Sequence, residues 1–176
     1  WFDESAELNT LLAEARTLAG SKNDPKIRLL AKHVKELLAE GFNPVIFCRF
    51  VATAQYVYDA LKEELKKEDD VAIGCVTGEL VPGEREERVN DLGEKEKRVL
   101  VATDCLSEGI NLQDLFTAVV HYDLAWNPTR HEQREGRVDR FGQKAKEVRC
   151  SMIYGENNPV DGFILKVILR KSEEIK

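Results

Sequence analysis

Apolar residues alternate along the chain between two spacings, and this alternation predicts the order of the secondary-structure elements. Ranges 4–19 and 24–40 repeat apolar residues at intervals of three and four, which is typical of helices packed on one side. Short runs rich in β-branched residues predict buried strands at 45–48, 71–76, 98–102, 118–122 and 148–154. Further helices are predicted at 53–68, 83–92, 129–140 and 159–174.

Strands that alternate with helices of about 10–15 residues favour a parallel sheet with helices on both faces. Asp24-Pro25 is a helix-start signal, Gly41 is a stop signal, and Thr53 is expected to open the helix after the first strand. The pattern contains no internal repeat and no long linker. It therefore predicts one α/β domain over residues 25–176, preceded by a helical lead-in over residues 1–24.

The composition is that of an ordinary water-soluble protein. The 176 residues suit a single domain, with 43% hydrophobic and 33% charged residues. No apolar run approaches the length of a membrane span, and no cationic segment precedes an apolar one as in a signal peptide. A cytoplasmic protein is expected. The first residue is Trp1 rather than Met, which suggests a piece of a longer protein.

The cysteines and histidines do not predict a metal centre. The four cysteines form no C-x-x-C pair and have no His at ligand spacing. His131-Glu132 begins like a zinc-protease motif, but Glu135 stands where the second His would be required.

Net charge is −6, which by itself argues against a general nucleic-acid binder. The distribution of charge changes this picture, because residues 130–149 carry seven Lys or Arg against four Asp or Glu. Positive charge is therefore concentrated in one short part of the chain.

This basic segment has an unusual pattern. Asn127 and Pro128 predict a helix start, and Gln133, Arg137 and Arg140 follow at i, i+4 and i+7, which would place them on one helix face. Two guanidiniums on such a helix match phosphate oxygens and stay charged at any working pH. The alternative is a solvated, salt-bridged helix, since acidic residues are interleaved with the arginines.

The sequence Gln-x-x-Gly-Arg-x-x-Arg from Gln133 resembles motif VI of superfamily-two helicases and translocases. The continuation Phe141-Gly142-Gln143 narrows the resemblance to their Swi/Snf-like branch, which includes the RapA-type remodellers. In that family two arginines extend across a cleft to the γ-phosphate of ATP bound on a partner domain. The resemblance therefore implies that Arg137 and Arg140 are arginine fingers and that Gln133 helps to place them.

The strand at 98–102 and its continuation to Gln113 resemble motif V of the same family. This resemblance implies that Thr103 and Ser107 contact nucleic acid, and that Glu108, Gly109 and Asn111 lie near the nucleotide, with Gly109 nearer the ribose. The structural alternative is that Asp104 and Ser107 only cap the following turn.

Two further strand ends resemble nucleic-acid-contacting motifs of the family. Cys48-Arg49-Phe50 resembles motif IV, and Thr53 would lie at a helix N-terminus that can bind phosphate. Taken alone, Arg49 is more typical of a surface arginine than of a ligand. Thr77 and Gly78 fit the next conserved block, or alternatively a turn in which glycine adopts positive φ. Trp126, in a family-like Asp-x-x-Trp-Asn-Pro segment, is expected to be a packed anchor.

The chain lacks the glycine-rich loop ending in Gly-Lys and Ser or Thr that holds nucleotide phosphates, and it lacks a strand ending in Asp-Glu. The resemblance then implies the second RecA-like lobe of an ATP-dependent DNA translocase. ATP and Mg²⁺ would be held mainly by the missing first lobe of the same polypeptide, and duplex DNA would be the other partner. The isolated chain should hydrolyse ATP negligibly. Alternatives are a lobe of a DEAD-box-type RNA helicase and a non-catalytic RecA-like scaffold.

Overall fold

The computed structural model describes residues 4–20, 22–68, 70–106, 110–156 and 158–174. Its helices are α1 (Glu4–Leu18), α2 (Pro25–Ala39), α3 (Val51–Glu64), α4 (Pro82–Leu92), α5 (Pro128–Glu135) and α6 (Pro159–Glu174). Its strands are β1 (Pro44–Phe47), β2 (Val71–Val76), β3 (Lys97–Ala102), β4 (Ala118–His121) and β5 (Arg149–Met152). One short 3₁₀ turn, Leu112–Asp114, was not predicted from the sequence.

The strands form one parallel sheet in the order β2-β3-β1-β4-β5. Alternate residues of the central strands point to opposite faces. Ile46 belongs to a core cluster with α2 and α3, whereas Phe47 belongs to a second cluster with α4 and Phe116. This confirms the predicted α/β architecture, a parallel sheet covered by helices on both faces.

The helix-start and helix-stop signals are confirmed at α2. The Asp24 carboxylate accepts hydrogen bonds from the N–H groups of Lys26 and Ile27, at 2.8 and 3.2 Å. Gly41 follows the helix with φ +86°, a conformation in which glycine is favoured. At α3 the predicted start is two residues late, because the helix begins at Val51 and Thr53 lies inside its first turn.

The predicted helix over 129–140 is only partly correct. Asn127 does cap α5, accepting from the Thr129 N–H at 3.1 Å, but the helix ends at Glu135 with Gly136 as its C-cap. Glycine is unfavourable in a helix, and the fully buried Val138 side chain packs into the core on the next turn. Arg137 and Arg140 therefore lie beyond the helix, and their predicted placement with Gln133 on one helix face is wrong.

The helix predicted over residues 4–19 is present as α1, Glu4–Leu18. Its leucines are exposed, and the link to α2 is fixed where the Gly20 N–H donates to the Tyr56 hydroxyl at 2.8 Å. None of the described helices combines the length and apolarity that a bilayer crossing requires.

Candidate functional site

A cavity of about 460 Å³ opens at the carboxyl ends of β1, β2, β3 and β4. Parallel α/β sheets bind ligands at this edge. The cavity is lined by the segments after all four strands and by two arginines of α5: Arg49, Phe50, Val51, Gly78, Thr103, Asp104, Cys105, Ala125, Trp126, Asn127, Arg130 and Arg134.

Three residues expected to contact nucleic acid are brought together here, namely Arg49, Gly78 and Thr103. Thr77 is buried, and neither it nor Thr53 lines the cavity. Asn111, expected near the nucleotide, is exposed elsewhere. The predicted contacts of Ser107, Glu108 and Gly109 lie outside the described residues.

Gly78 does not need to be glycine for the turn. Its φ is not positive, and an added Cβ would meet the Cys105 Cβ at an ordinary 3.7 Å. Arg85 fixes this region, because its guanidinium donates to the carbonyls of Leu80, Gly78 and Cys105 at 2.8, 3.2 and 3.0 Å. The loops after β2 and β3 are thereby held side by side, and the backbone at Gly78 stays open to the cavity.

A buried ion pair forms the wall of the cavity. The Arg134 guanidinium, only 2% exposed, donates to both carboxylate oxygens of Asp104 at 2.6 and 3.0 Å. It also donates to the Asp123 carbonyl at 3.1 Å and lies over the Phe47 ring. Arg134 therefore ties α5 to the ends of β3, β4 and β1.

Asp104 is charged in this setting. Burial alone would raise its pKa, but the hydrogen bonds and positive charge of Arg134, with a smaller contribution from Arg130, outweigh burial and lower the pKa below its ordinary value. Arg130 is exposed and contacts the same carboxylate at 3.3 Å. Asp104 therefore does more than cap a turn, which was the alternative interpretation of its position.

A second acidic residue connects the strand ends. The Asp123 carboxylate accepts from the backbone N–H of Arg49 at 2.9 Å and lies 3.6 Å from the Lys26 ammonium. This bond fixes the chain where it leaves β1. The Arg49 side chain remains exposed at the cavity, with its guanidinium 5.1 Å from the centre of the Phe50 ring.

Trp126 is not a packed anchor, and that prediction is wrong. Its side chain is 59% exposed and lines the cavity, and Phe50 is also 59% exposed. The cavity mouth therefore presents two exposed aromatic rings with the cationic groups of Arg49 and Arg130. Aromatic faces suit bases and guanidiniums suit phosphates, so this chemistry fits a nucleic-acid strand.

Buried histidines seat α5 on the sheet. The His131 Nε2 accepts from the Ala125 N–H at 3.1 Å, and burial, assisted by the neighbouring His121, lowers the pKa of His131 to about 4. The fully buried His121 contacts the Glu135 carboxylate at 3.0 Å at the helix end. The two histidines thus attach α5 to the segment before it and to the end of β4.

The arginines just beyond α5 differ from their neighbours. Arg85, Arg88, Arg98, Arg130, Arg134 and Arg149 all use their guanidiniums in hydrogen bonds or ion pairs. Arg137 is half-buried and Arg140 is exposed, and neither guanidinium bonds to any residue that the structure describes. Gln133 is exposed on α5.

Sequence reasoning missed the role of Arg134 and the exposure of Trp126. Arg130 and Arg134 are one helical turn apart, and this spacing could have predicted that both contact the same acidic residue, which is Asp104.

Within the described ranges, no group of three or more His, Cys, Asp or Glu side chains is arranged to hold a metal ion.

The chain is similar in sequence to helicases. The family model described as the helicase conserved C-terminal domain matches residues 25–142. The chain is 41% identical over 85 residues to an uncharacterized ATP-dependent helicase, YqhH, of Bacillus subtilis, covering 47% of this chain and 14% of that protein. It is 31% identical over 100 residues to the ATP-dependent RNA helicase eIF4A of Meyerozyma guilliermondii, covering 57% and 24%.

Among solved structures, the chain is similar to the Sulfolobus solfataricus SWI2/SNF2 ATPase core in complex with double-stranded DNA. The TM-score is 0.59 at 26% identity, covering 76% of this chain and 27% of that one. The matched region spans less than a quarter of the length of either sequence relative, YqhH or eIF4A. Its similarities include both an RNA helicase and a SWI2/SNF2 ATPase.

Proposed function

Because the chain belongs to the helicase conserved C-terminal domain family, the RecA-like second lobe of superfamily-two helicases, we propose that it is a motor lobe of an ATP-dependent duplex-DNA translocase. In this proposal Arg137 and Arg140 act on ATP that is bound by another lobe of the same polypeptide. The cavity at the strand ends contacts the nucleic-acid backbone.

The observation that carries the proposal is that neither guanidinium makes a hydrogen bond or ion pair with any of the described residues. An arginine without a protein partner keeps its full hydrogen-bonding capacity for a ligand, and its planar group matches phosphate oxygens. Every other arginine from Arg85 to Arg149 already uses its guanidinium within the chain. Arg137 and Arg140 are three residues apart in the family motif, and neither uses its guanidinium in a bond to the described residues.

ATP and Mg²⁺ would be held mainly by the first lobe, and ATP would supply the phosphoryl group that is transferred to water. The residues of this chain supply positive charge at the γ-phosphate. Charge that is positioned before the reaction stabilises the transition state without reorganisation. Gln133, exposed on the last turn of α5 and four residues before Arg137, is proposed to help place the two arginines.

Nucleic acid would couple to this step through the cavity. Arg49 offers charge for phosphates, Gly78 and Thr103 offer an open backbone edge, and Trp126 offers a ring face. Because Arg134 joins the end of β3 to α5, a nucleic-acid strand bound at the cavity would contact elements that continue directly into the residues carrying Arg137 and Arg140. Binding in the cavity would thus favour the orientation in which both lobes close on ATP.

Steady-state ATP hydrolysis tests the proposal in the full polypeptide that contains this lobe. Hydrolysis is measured with no nucleic acid, single-stranded DNA, duplex DNA and RNA of matched length. We expect duplex DNA to stimulate turnover most. Binding without stimulated turnover under all four conditions would contradict the motor function and support a non-catalytic scaffold.

A lobe of an RNA helicase is the second candidate, and the similarity to the RNA helicase eIF4A favours it. The same four-condition assay separates the two functions. Stimulation by RNA in excess of that by duplex DNA would assign the RNA-helicase function and leave the role of the arginines unchanged. Phe141-Gly142-Gln143 and the Trp126-Asn127-Pro128 segment support the duplex-DNA branch.

Binding of nucleic acid should depend steeply on salt and little on sequence, because the cavity presents cations to phosphates. Arg49→Ala should reduce the slope of log affinity against log salt by about 1, since one phosphate contact is lost. Fluorescence anisotropy at several salt concentrations measures the slope. Arg28→Ala is the matched control, because Arg28 is exposed on α2 away from the cavity. An equal slope change in both variants would remove Arg49 from the interface.

Trp126→Ala should weaken binding of nucleic acid without unfolding the lobe. Loss of one stacked base costs about 1–3 kcal/mol, or roughly 5- to 150-fold in affinity. The ring is 59% exposed, so its removal leaves little unfilled core volume. Anisotropy gives the affinity and thermal melting gives the stability. A lower melting temperature with unchanged affinity would restore the packed-anchor interpretation.

A further inference from the structure

Residues 136–145 carry Arg137 and Arg140 outside any helix or strand. α5 ends at Glu135 and β5 begins only at Arg149. The segment's own backbone hydrogen bonds form only isolated turns: the Asp139 N–H donates to the Glu135 carbonyl at 2.8 Å and the Gln143 N–H donates to the Arg140 carbonyl at 2.9 Å. A segment with so few backbone bonds depends also on the contacts that its side chains make with the rest of the lobe. The position of the Arg137 and Arg140 guanidiniums therefore depends on whatever fixes this segment to the rest of the lobe.

Two side chains of the segment make that attachment. Val138, which lies between the arginines, is fully buried in the cluster that contains Phe116. The Gln143 Nε2 donates to the Val138 carbonyl at 3.0 Å and to the Phe116 carbonyl at 3.2 Å. The Gln143 Oε1 accepts from the Ala145 N–H at 2.9 Å.

The three hydrogen bonds use both the donor and the acceptor end of one carboxamide. They join the residue after Arg137 to the loop before β4 and to the chain that leaves the segment. Gly142, with φ +98°, turns the chain so that Gln143 faces back toward Val138. The backbone that carries Arg140 is thus closed into a loop between two fixed points.

We propose that Gln143 is a positioning residue that orders the Arg137 and Arg140 guanidiniums before ATP is bound. This inference rests on the proposed function of the arginine pair and deepens it. Gln143 touches neither nucleotide nor nucleic acid in this role. It acts only by holding the backbone from Val138 to Ala145 in one conformation.

The geometry requires the amide group specifically. Glutamate at this position would keep the acceptor for Ala145 but lose both donors, and it would place a negative charge beside two carbonyl oxygens. Alanine would lose all three bonds. Reacting groups displaced by about 1 Å can lose about 10²-fold in rate, so a loosened segment should affect the chemical step.

The test compares Gln143→Glu and Gln143→Ala in the full polypeptide. We expect stimulated kcat for ATP hydrolysis to fall about 10- to 100-fold in both variants, with KM for ATP and affinity for nucleic acid close to wild type. Gln55→Glu is the matched control, because Gln55 is an exposed glutamine on α3 and is distant in sequence from Gln143. The control should leave kcat unchanged.

Three outcomes are distinguishable. Unchanged kcat in Gln143→Glu, with turnover lost in Arg137→Ala, would overturn the positioning role and leave the proposed function standing. Turnover retained in Arg137→Ala would overturn both. A parallel loss of kcat, nucleic-acid affinity and melting temperature would show that Gln143 serves the stability of the whole lobe, which also overturns the positioning role.

Discussion

Arg137→Ala is expected to lower nucleic-acid-stimulated ATP hydrolysis by about 10³- to 10⁵-fold, the range found when an arginine finger is removed. Nucleic-acid affinity should stay close to wild type, because Arg137 does not line the cavity at the strand ends. The substitution should also leave the lobe folded, since the guanidinium has no described protein partner to lose. Parallel assays of turnover, anisotropy and thermal melting measure the three quantities.

Arg28→Ala serves as the control for removing one guanidinium that bonds to none of the described residues. Arg28 lies on α2, distant in sequence from the motif and outside the cavity. Its loss should change neither turnover nor affinity. Turnover of Arg137→Ala within the range of this control would refute the arginine-finger role.

Asp104→Ala should produce the largest loss of stability among the cavity residues. It would leave the Arg134 guanidinium buried with only the Asp123 carbonyl as a hydrogen-bond acceptor. Removing one partner of a buried ion pair costs about 3–5 kcal/mol, and the lower figure applies because Asp104 is 30% exposed. For a domain of this size about 3 kcal/mol corresponds to a fall in Tm of about 6–12 °C.

Thermal and urea melting of the lobe measure this effect, with Asp91→Ala as the control for an exposed carboxylate. The pKa of Asp104 is lowered in the folded state, so its contribution is present above the ordinary Asp pKa and is lost as pH falls through the folded pKa. The gap between wild type and Asp104→Ala should therefore close in acid. Equal Tm values for both variants at neutral pH would show that the pair does not stabilise the fold.

The fold was predictable because the apolar pattern and the chain's start and stop signals agree. β2 begins and ends at the predicted residues, and α2 begins after the predicted cap, Asp24. Helices on both faces follow from strands that are apolar at successive positions, as in Val45–Phe47 and Val99–Ala102, which are fully buried. In the sheet, the start and stop signals and the apolar pattern therefore predict the same elements that the structure contains.

The end of α5 was not predictable from helical spacing. Arg137 and Arg140 continue the interval of three and four, yet burial of Val138 and the poor helix propensity of Gly136 end the helix first. Tertiary packing overrides periodicity in this segment. The spacing of the arginines therefore does not put them on a shared helix face.

Side-chain partners at the cavity were also beyond sequence reasoning. The sequence identifies the strand ends, and Arg49, Gly78 and Thr103 do meet at one cavity. Nothing local to Arg134 specifies that it is buried against Asp104, 30 residues earlier in the chain, because strand order decides that contact. Trp126 was misassigned for a similar reason, since large aromatic residues are usually packed but this one follows a strand that ends at the open edge.

The central claim is that Arg137 and Arg140 act together on ATP held by another lobe. Single-turnover ATP hydrolysis with duplex DNA, measured for wild type, Arg137→Ala, Arg140→Ala and the double variant, tests it most directly. Residues that act as a unit are strongly non-additive, so each single variant should lose most of the stimulated rate and the double variant scarcely more. A double variant that hydrolyses ATP at the wild-type rate would contradict the account.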